Sequence, residues 1–163
     1  MIMSVLKVGR LKMNSAAKNW PVSVADMASR FNYVHVKKVH WGDMDALGHV
    51  NNVVYFQYLE QSRLGMMEHL GIFPRLFDEQ VGLVIADARC RYKAPVIYPD
   101  TLHIGLRVDL KAADRMVIHY QLFSEKLGRV VAEAETLQFT VSPTTGRPVD
   151  MPDWFRQALQ SVQ

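Results

Sequence analysis

The spacing of apolar residues divides most of the chain into strands and one long helix. The cleanest strand pattern is "TLHIGLRVDL", Thr101–Leu110. Leu102, Ile104, Leu106, Val108 and Leu110 share one face; His103, Gly105, Arg107 and Asp109 share the other. Tyr33–Trp41 and Gly82–Tyr92 are also rich in β-branched and aromatic residues and read as strands. Arg115–Glu125 and Arg129–Ser142 read as a hairpin turning at Lys126–Gly128. From about Asn52 to Leu70 the period lengthens to that of a helix, with Gly71 as its stop. On that helix Val53, Phe56, Leu59, Leu64, Met67 and Leu70 fall on one side, expected to face the core. Glu60 and Arg63 fall on the same side and are expected to pair, because an unpaired buried charge is costly. A short helix is expected after Ser23 as cap. Another is expected at roughly Pro152–Gln160, with Asp150 as cap.

The order is strand, long helix, four strands, small helix. Short turns favour an antiparallel meander whose apolar face the long helix covers, an α+β domain with a sheet of about five strands. The 163 residues suit one such domain. It is expected over residues 31–163, preceded by an extension over residues 1–30. Met27 would make a natural beginning for the domain, with the residues before it dispensable for turnover.

Composition narrows the function classes. With 49% hydrophobic and 21% charged residues, the chain can bury a core and is not of disordered type. A net charge of +3 suits an anionic small ligand but lacks the basic stripe of a nucleic-acid binder. Cys90 is the only cysteine, so an internal disulfide is excluded; a reducing, cytoplasmic compartment is expected and a structural zinc site is not. No apolar stretch approaches the roughly 20 residues that span a bilayer. The opening residues carry Lys7, Arg10, Lys12 and Lys18 with no acid before Asp26, yet charge breaks their apolar run too often for a signal sequence.

The densest polar chemistry is "WGDMDALGHVNN", immediately before the long helix. A calcium loop starting at Asp43 would need oxygen at its fifth position and Glu at its twelfth, where Leu47 and Val54 stand. His35, His40, His69, His103 and His119 are too scattered for a transition-metal set. Neither a Gly-rich phosphate loop nor a serine elbow occurs. What remains is a carboxylate at a helix start, whose unpaired N–H groups and partial positive charge can hold a developing oxyanion. The same aspartates and asparagines could equally cap the loop and helix. Glu60 is a second carboxylate that could orient a catalytic water.

The pattern D-x-D-x-x-x-H-V-N-N-x-x-Y-x-x-Y-x-E-x-x-R, Asp43 to Arg63, closely resembles the hotdog-fold acyl-CoA thioesterases. These are relatives of 4-hydroxybenzoyl-CoA thioesterase and of the bacterial long-chain acyl-CoA thioesterases. "RCRYKAPVIYPDTL" and "TGRPVDMPDWFRQAL" resemble the family's next strand and its ending, so the likeness covers about Tyr33 to Leu159. The resemblance implies a helix wrapped by a curved antiparallel sheet, in a homodimer or homotetramer with active sites at the subunit interface. It implies hydrolysis of acyl-CoA with no metal or other cofactor, a non-catalytic acyl-CoA-binding or regulatory hotdog protein being the alternative; charge pattern and hydropathy argue against a nucleic-acid or membrane partner. Asp45 matches the family's acidic catalytic position, Asn52 the oxyanion N–H, and Asp43 a loop-structuring residue. His49 matches a histidine that plant acyl-carrier thioesterases use in catalysis. Those relatives also carry an Asn where this chain has Leu47, so base, orienter and structural donor all stay open for His49. Tyr55, Arg89, Arg91 and Lys93 are the expected substrate-binding residues, the basic three for the phosphates of CoA. The apolar helix face suggests medium- to long-chain acyl groups.

Overall fold

A computed structural model describes residues 19–163. The part of the N-terminal extension before Asn19 lies outside the described residues. The elements are α1 (Val24–Arg30), β1 (Tyr33–Lys38), a 3-10 turn (Trp41–Asp43), α2 (Asn52–His69), α3 (Ile72–Asp78), β2 (Gly82–Tyr92), β3 (Thr101–Ala112), β4 (Arg115–Ser124), β5 (Arg129–Val141) and α4 (Asp153–Gln160). The five strands form one antiparallel sheet in the order β1-β3-β4-β5-β2, the hotdog architecture. Only β3, β4 and β5 make a meander. β2 does not lie beside β3 as a simple meander requires; it pairs with β5, Cys90 opposite Ala134, and so forms an edge. The proline-bearing connection 93–100 is long enough to carry the chain from one side of the sheet to the other.

α2 packs on one face of this sheet. Leu102, Ile104, Leu106 and Val108 of β3 turn toward it, as their alternation requires, and join Ile118, Tyr120 and Leu122 of β4 in one core. α4 adds Phe155 and Leu159 to the same core. Its start differs from expectation, for Pro152 is the N-cap and Asp150 stands exposed outside the helix.

The buried side of α2 also differs from expectation. Leu59 and Met67 are buried, but with Tyr55, Tyr58, Ser62, Arg63 and Met66. Val53, Phe56 and Leu64 are exposed. The helix is apolar or aromatic around most of its girth, so periodicity cannot choose a face; the two tyrosines, whose hydroxyls find partners, decide it. The expected Glu60–Arg63 pair does not form. Glu60 is exposed, whereas Arg63 is buried and its guanidinium donates to Tyr120 Oη at 3.5 Å. Gly71, in the left-handed region (φ 66°), separates α2 from α3 and acts as the N-cap of this extra short helix.

α1 occupies the opposite face. Ser23 Oγ accepts the Asp26 N–H at 3.1 Å, the expected cap. Met27, fully buried, packs on Phe123 and Val130, with Trp20, Val24 and Phe31 around them. Burying such a side chain contributes about 1.5–3 kcal/mol. Phe31 lies flat on β3 where Gly105 leaves room; a Cβ there would stand 2.4 Å from the ring. Gly105 and His103, on the face opposite Leu102–Leu110, are both buried. A domain starting at Met27 would cut α1 within its own length and remove its cap.

Candidate active site

The loop between β1 and α2 is built around its two aspartates. Asp43 structures it: Oδ2 accepts the His40 N–H at 2.8 Å and the Tyr58 hydroxyl at 2.5 Å, and its carbonyl accepts the Asn51 N–H at 2.9 Å. Asp45 closes a tighter turn. Its Oδ1 accepts the Leu47 N–H at 2.8 Å and the His49 N–H at 3.4 Å. Its own N–H donates to the His49 carbonyl at 2.8 Å. Gly48 takes the left-handed conformation (φ 77°) that lets the chain double back. One carboxylate oxygen of Asp45 is thus held by backbone donors, and the side chain is half-buried.

At the start of α2 the Asn51 side chain accepts the Val53 N–H at 3.0 Å, and the Asn51 carbonyl accepts the Val54 N–H at 3.0 Å. Among the described residues nothing accepts the Asn52 N–H. It is a spare donor at the positive end of an 18-residue helix.

Asp45, His49 and Asn52 come together in a pocket of about 380 Å³, with Val50, Tyr55, Tyr92, Lys93, Ala94 and Pro95 as its other walls. Tyr92 is the residue that sequence reasoning missed. Its hydroxyl donates to the Asn52 carbonyl at 3.1 Å, and its ring meets Tyr55 edge to face, centroids 4.9 Å apart. Its place two positions from Cys90 puts it on the same face of β2; that this is the helix side follows only from strand pairing. Burial, with Cys90 beside it, pushes the Tyr92 phenol up to about 12. Burial raises Tyr55 further, with Cys90 and Tyr92 adding to the effect and the Val96 backbone opposing it. Burial also pushes the Cys90 thiol up to about 11. Tyr55, Tyr92 and Cys90 therefore stay protonated and uncharged near neutral pH.

Of the remaining expected residues, Glu60, Arg89 and Arg91 lie elsewhere. Glu60 is exposed two turns along α2 and does not line the pocket. Arg89 and Arg91 alternate with Cys90 and Tyr92 and so point from the other face of β2; Arg89 is paired with Asp87 at 2.6 Å. Lys93 lines the pocket, but its ammonium turns to Glu133, 3.0 Å away, and to the Trp20 ring, 4.4 Å from the centroid.

The chain matches the family model of the thioesterase-like superfamily over residues 39–159. It is 25% identical over 141 residues to the acyl-CoA thioester hydrolase YbgC of Escherichia coli, covering 86% of this chain and 93% of that protein. It is 22% identical over 125 residues to the long-chain acyl-CoA thioesterase FadM of Escherichia coli, covering 77% and 95%. Among solved structures, the PA2801 protein of Pseudomonas aeruginosa superposes with a TM-score of 0.71 at 30% identity, covering 80% of this chain and 99% of that one. The chain belongs to the thioesterase-like superfamily and is a thioesterase of the hotdog fold.

Proposed function

We propose that the protein hydrolyses acyl-CoA to free acid and CoA, with Asp45 as the catalytic carboxylate and the Asn52 N–H polarising the thioester carbonyl. The observation that carries this reading is that a half-buried carboxylate and the first residue of a long helix, whose N–H has no acceptor among the described residues, line one pocket. As general base, Asp45 takes a proton from water while the water oxygen bonds to the carbonyl carbon. The charge moves to the carbonyl oxygen, where the Asn52 N–H and the helix dipole stabilise it. Collapse breaks the carbon–sulfur bond, and the thiolate of CoA recovers the proton. As nucleophile, Asp45 would instead bond to the carbon itself and expel CoA as thiolate, the carbon–sulfur bond breaking; water would then hydrolyse the anhydride, regenerating the Asp45 carboxylate and releasing the free acid, and the proton set free passes to the thiolate. His49, whose backbone braces Asp45, orients the loop in either route.

The acyl group is proposed to be medium to long. Val53 and Phe56, 59% and 38% exposed, form an apolar strip leading from the pocket along α2. The similarity to a long-chain thioesterase points the same way. A second copy of the chain, joined along the β2 edge, would roof that strip.

Thiol release from acyl-CoAs of graded length, from acetyl to hexadecanoyl, tests this. The expected result is turnover with kcat/KM rising with chain length, each buried methylene adding up to about 0.8 kcal/mol. Equal efficiency on acetyl-CoA would contradict the apolar strip. Binding without release of any thiol would make the protein an acyl-CoA binder and overturn hydrolysis.

A further inference from the structure

Lys93 connects the catalytic pocket to an element outside the family match. That match begins at residue 39, whereas Trp20 and α1 precede it. The segment from Asn19 to Arg30 is knotted on itself. The Arg30 guanidinium binds Asp26 at 2.6 and 2.8 Å and donates to the Asn19 carbonyl at 2.5 Å. The Val22 N–H donates to Asp26 at 3.0 Å. These bonds fix Trp20 relative to α1, and Met27 fixes α1 on the sheet.

The ring of Trp20 lies over the Lys93 ammonium, and Glu133, only 4% exposed, holds the same ammonium at 3.0 Å. Lys93 is also where β2 leaves the sheet. Its N–H and that of Ala94 both donate to the Val131 carbonyl, at 2.8 and 3.2 Å. Alternation places Tyr92 on the pocket side and Lys93 on the side of α1. Rotation of the backbone at Lys93 would therefore carry the Tyr92 hydroxyl off the Asn52 carbonyl, and with it the wall that orients the helix start.

We propose that the segment Asn19–Arg30 is a positioning element of the thioesterase site: Trp20, through Lys93 and Glu133, holds the Tyr92–Pro95 wall that sets the start of α2. This rests on the reading of that pocket as the hydrolytic site. It is a cation–π and ion-pair clamp on one face of the sheet acting on chemistry at the other. On this proposal Trp20, which precedes Met27, is needed for full turnover, the opposite of the expectation drawn from the sequence.

The test compares the full chain with Trp20→Leu, Trp20→Phe, Lys93→Met and the double variant Trp20→Leu/Lys93→Met. Leucine keeps apolar bulk at position 20 but has no π face. Trp20→Leu and Lys93→Met are each expected to lower kcat about three- to tenfold, with KM changed less than about twofold. Trp20→Phe should recover most of the loss, and the double variant should lose no more than either single one. Backbone hydrogen exchange at Tyr92–Val96 and Asn52–Val54 should quicken in Trp20→Leu and return in Trp20→Phe, a readout that needs no turnover. Unchanged exchange in those two segments overturns the clamp, as does an unaltered kcat in Trp20→Leu. A wild-type chain that releases no thiol while the exchange pattern holds would leave the clamp standing and remove the hydrolytic reading instead.

Discussion

The Tyr58 hydroxyl donates to Asp43 Oδ2 at 2.5 Å, joining the second turn of α2 to the loop fifteen residues earlier. The bond keeps the phenol protonated: burial raises Tyr58 well above the ordinary tyrosine range, and the bonded Asp43 carboxylate adds to the shift. Hydrogen bonds to charged groups contribute about 1.5–3 kcal/mol. Tyr58→Phe keeps the buried ring and loses the bond, so it should cost stability in that range. Urea unfolding checks this, and a midpoint equal to wild type would contradict it. Asp43→Asn should lose stability by a similar route while retaining turnover at temperatures where it is folded.

Gly105 is where Phe31, the residue that follows α1, meets the sheet. A methyl group there would overlap three atoms of the Phe31 ring, at 2.4 to 2.7 Å, and a ring seated flat on a strand has little room to swing. Gly105→Ala should therefore destabilise by about 1–3 kcal/mol, the usual cost of overpacking, although alanine favours ordered backbone over glycine. Denaturant unfolding gives the value. A neutral or stabilised variant would mean that Phe31 is not held against β3.

His35 makes stability depend on pH. It lies against α2 where Gly65 has no side chain, 3.1 Å from where a Cβ would be. Burial, and secondarily the charge of Lys37, lowers its pKa below the ordinary 6.5. The unfolded chain then binds the proton more readily than the folded one. This contribution to stability is complete above pH 6.5 and drains as pH falls through that value toward the folded pKa. Melting temperature followed from pH 8 to pH 5 should fall less steeply for His35→Gln than for wild type. Parallel curves would contradict the assignment.

The exposed apolar residues predict self-association. Val84 and Ile85 on the edge strand β2 are 43% and 47% exposed, and Leu64 on α2 is 41% exposed. An open edge beside apolar side chains is a template for pairing with a second copy. Light scattering at micromolar concentration should give at least twice the chain mass, and Ile85→Lys should shift it toward the single chain. A single-chain mass for the wild type would contradict this.

The strands were legible because period-two alternation is local: β3 shows it in Leu102 to Leu110, and β4 and β5 announce their turn. The pairing of β2 with β5 was not, since no local pattern tells an edge strand which neighbour it will find. The buried face of α2 was misread because Val53, Phe56 and Leu64 look like core residues until the Tyr58 hydroxyl finds Asp43. At the site, Asp45 and Asn52 stand in one loop motif and could be named from it. Tyr92 and Trp20 act through contacts between segments far apart in the chain, and nothing in their own neighbourhoods announces them.

The central claim is that Asp45 carries the chemistry, and Asp45→Asn tests it most directly. The amide keeps the shape of the turn and can still accept the Leu47 N–H, but it can neither attack a thioester nor take a proton from water. With kcat, substrate Kd and melting temperature measured on the same preparation, kcat should fall about a hundredfold or more. Kd and melting temperature should stay close to wild type. Turnover near the wild-type rate in this variant would contradict the account and move the catalytic carboxylate elsewhere, with Glu60 the first to examine.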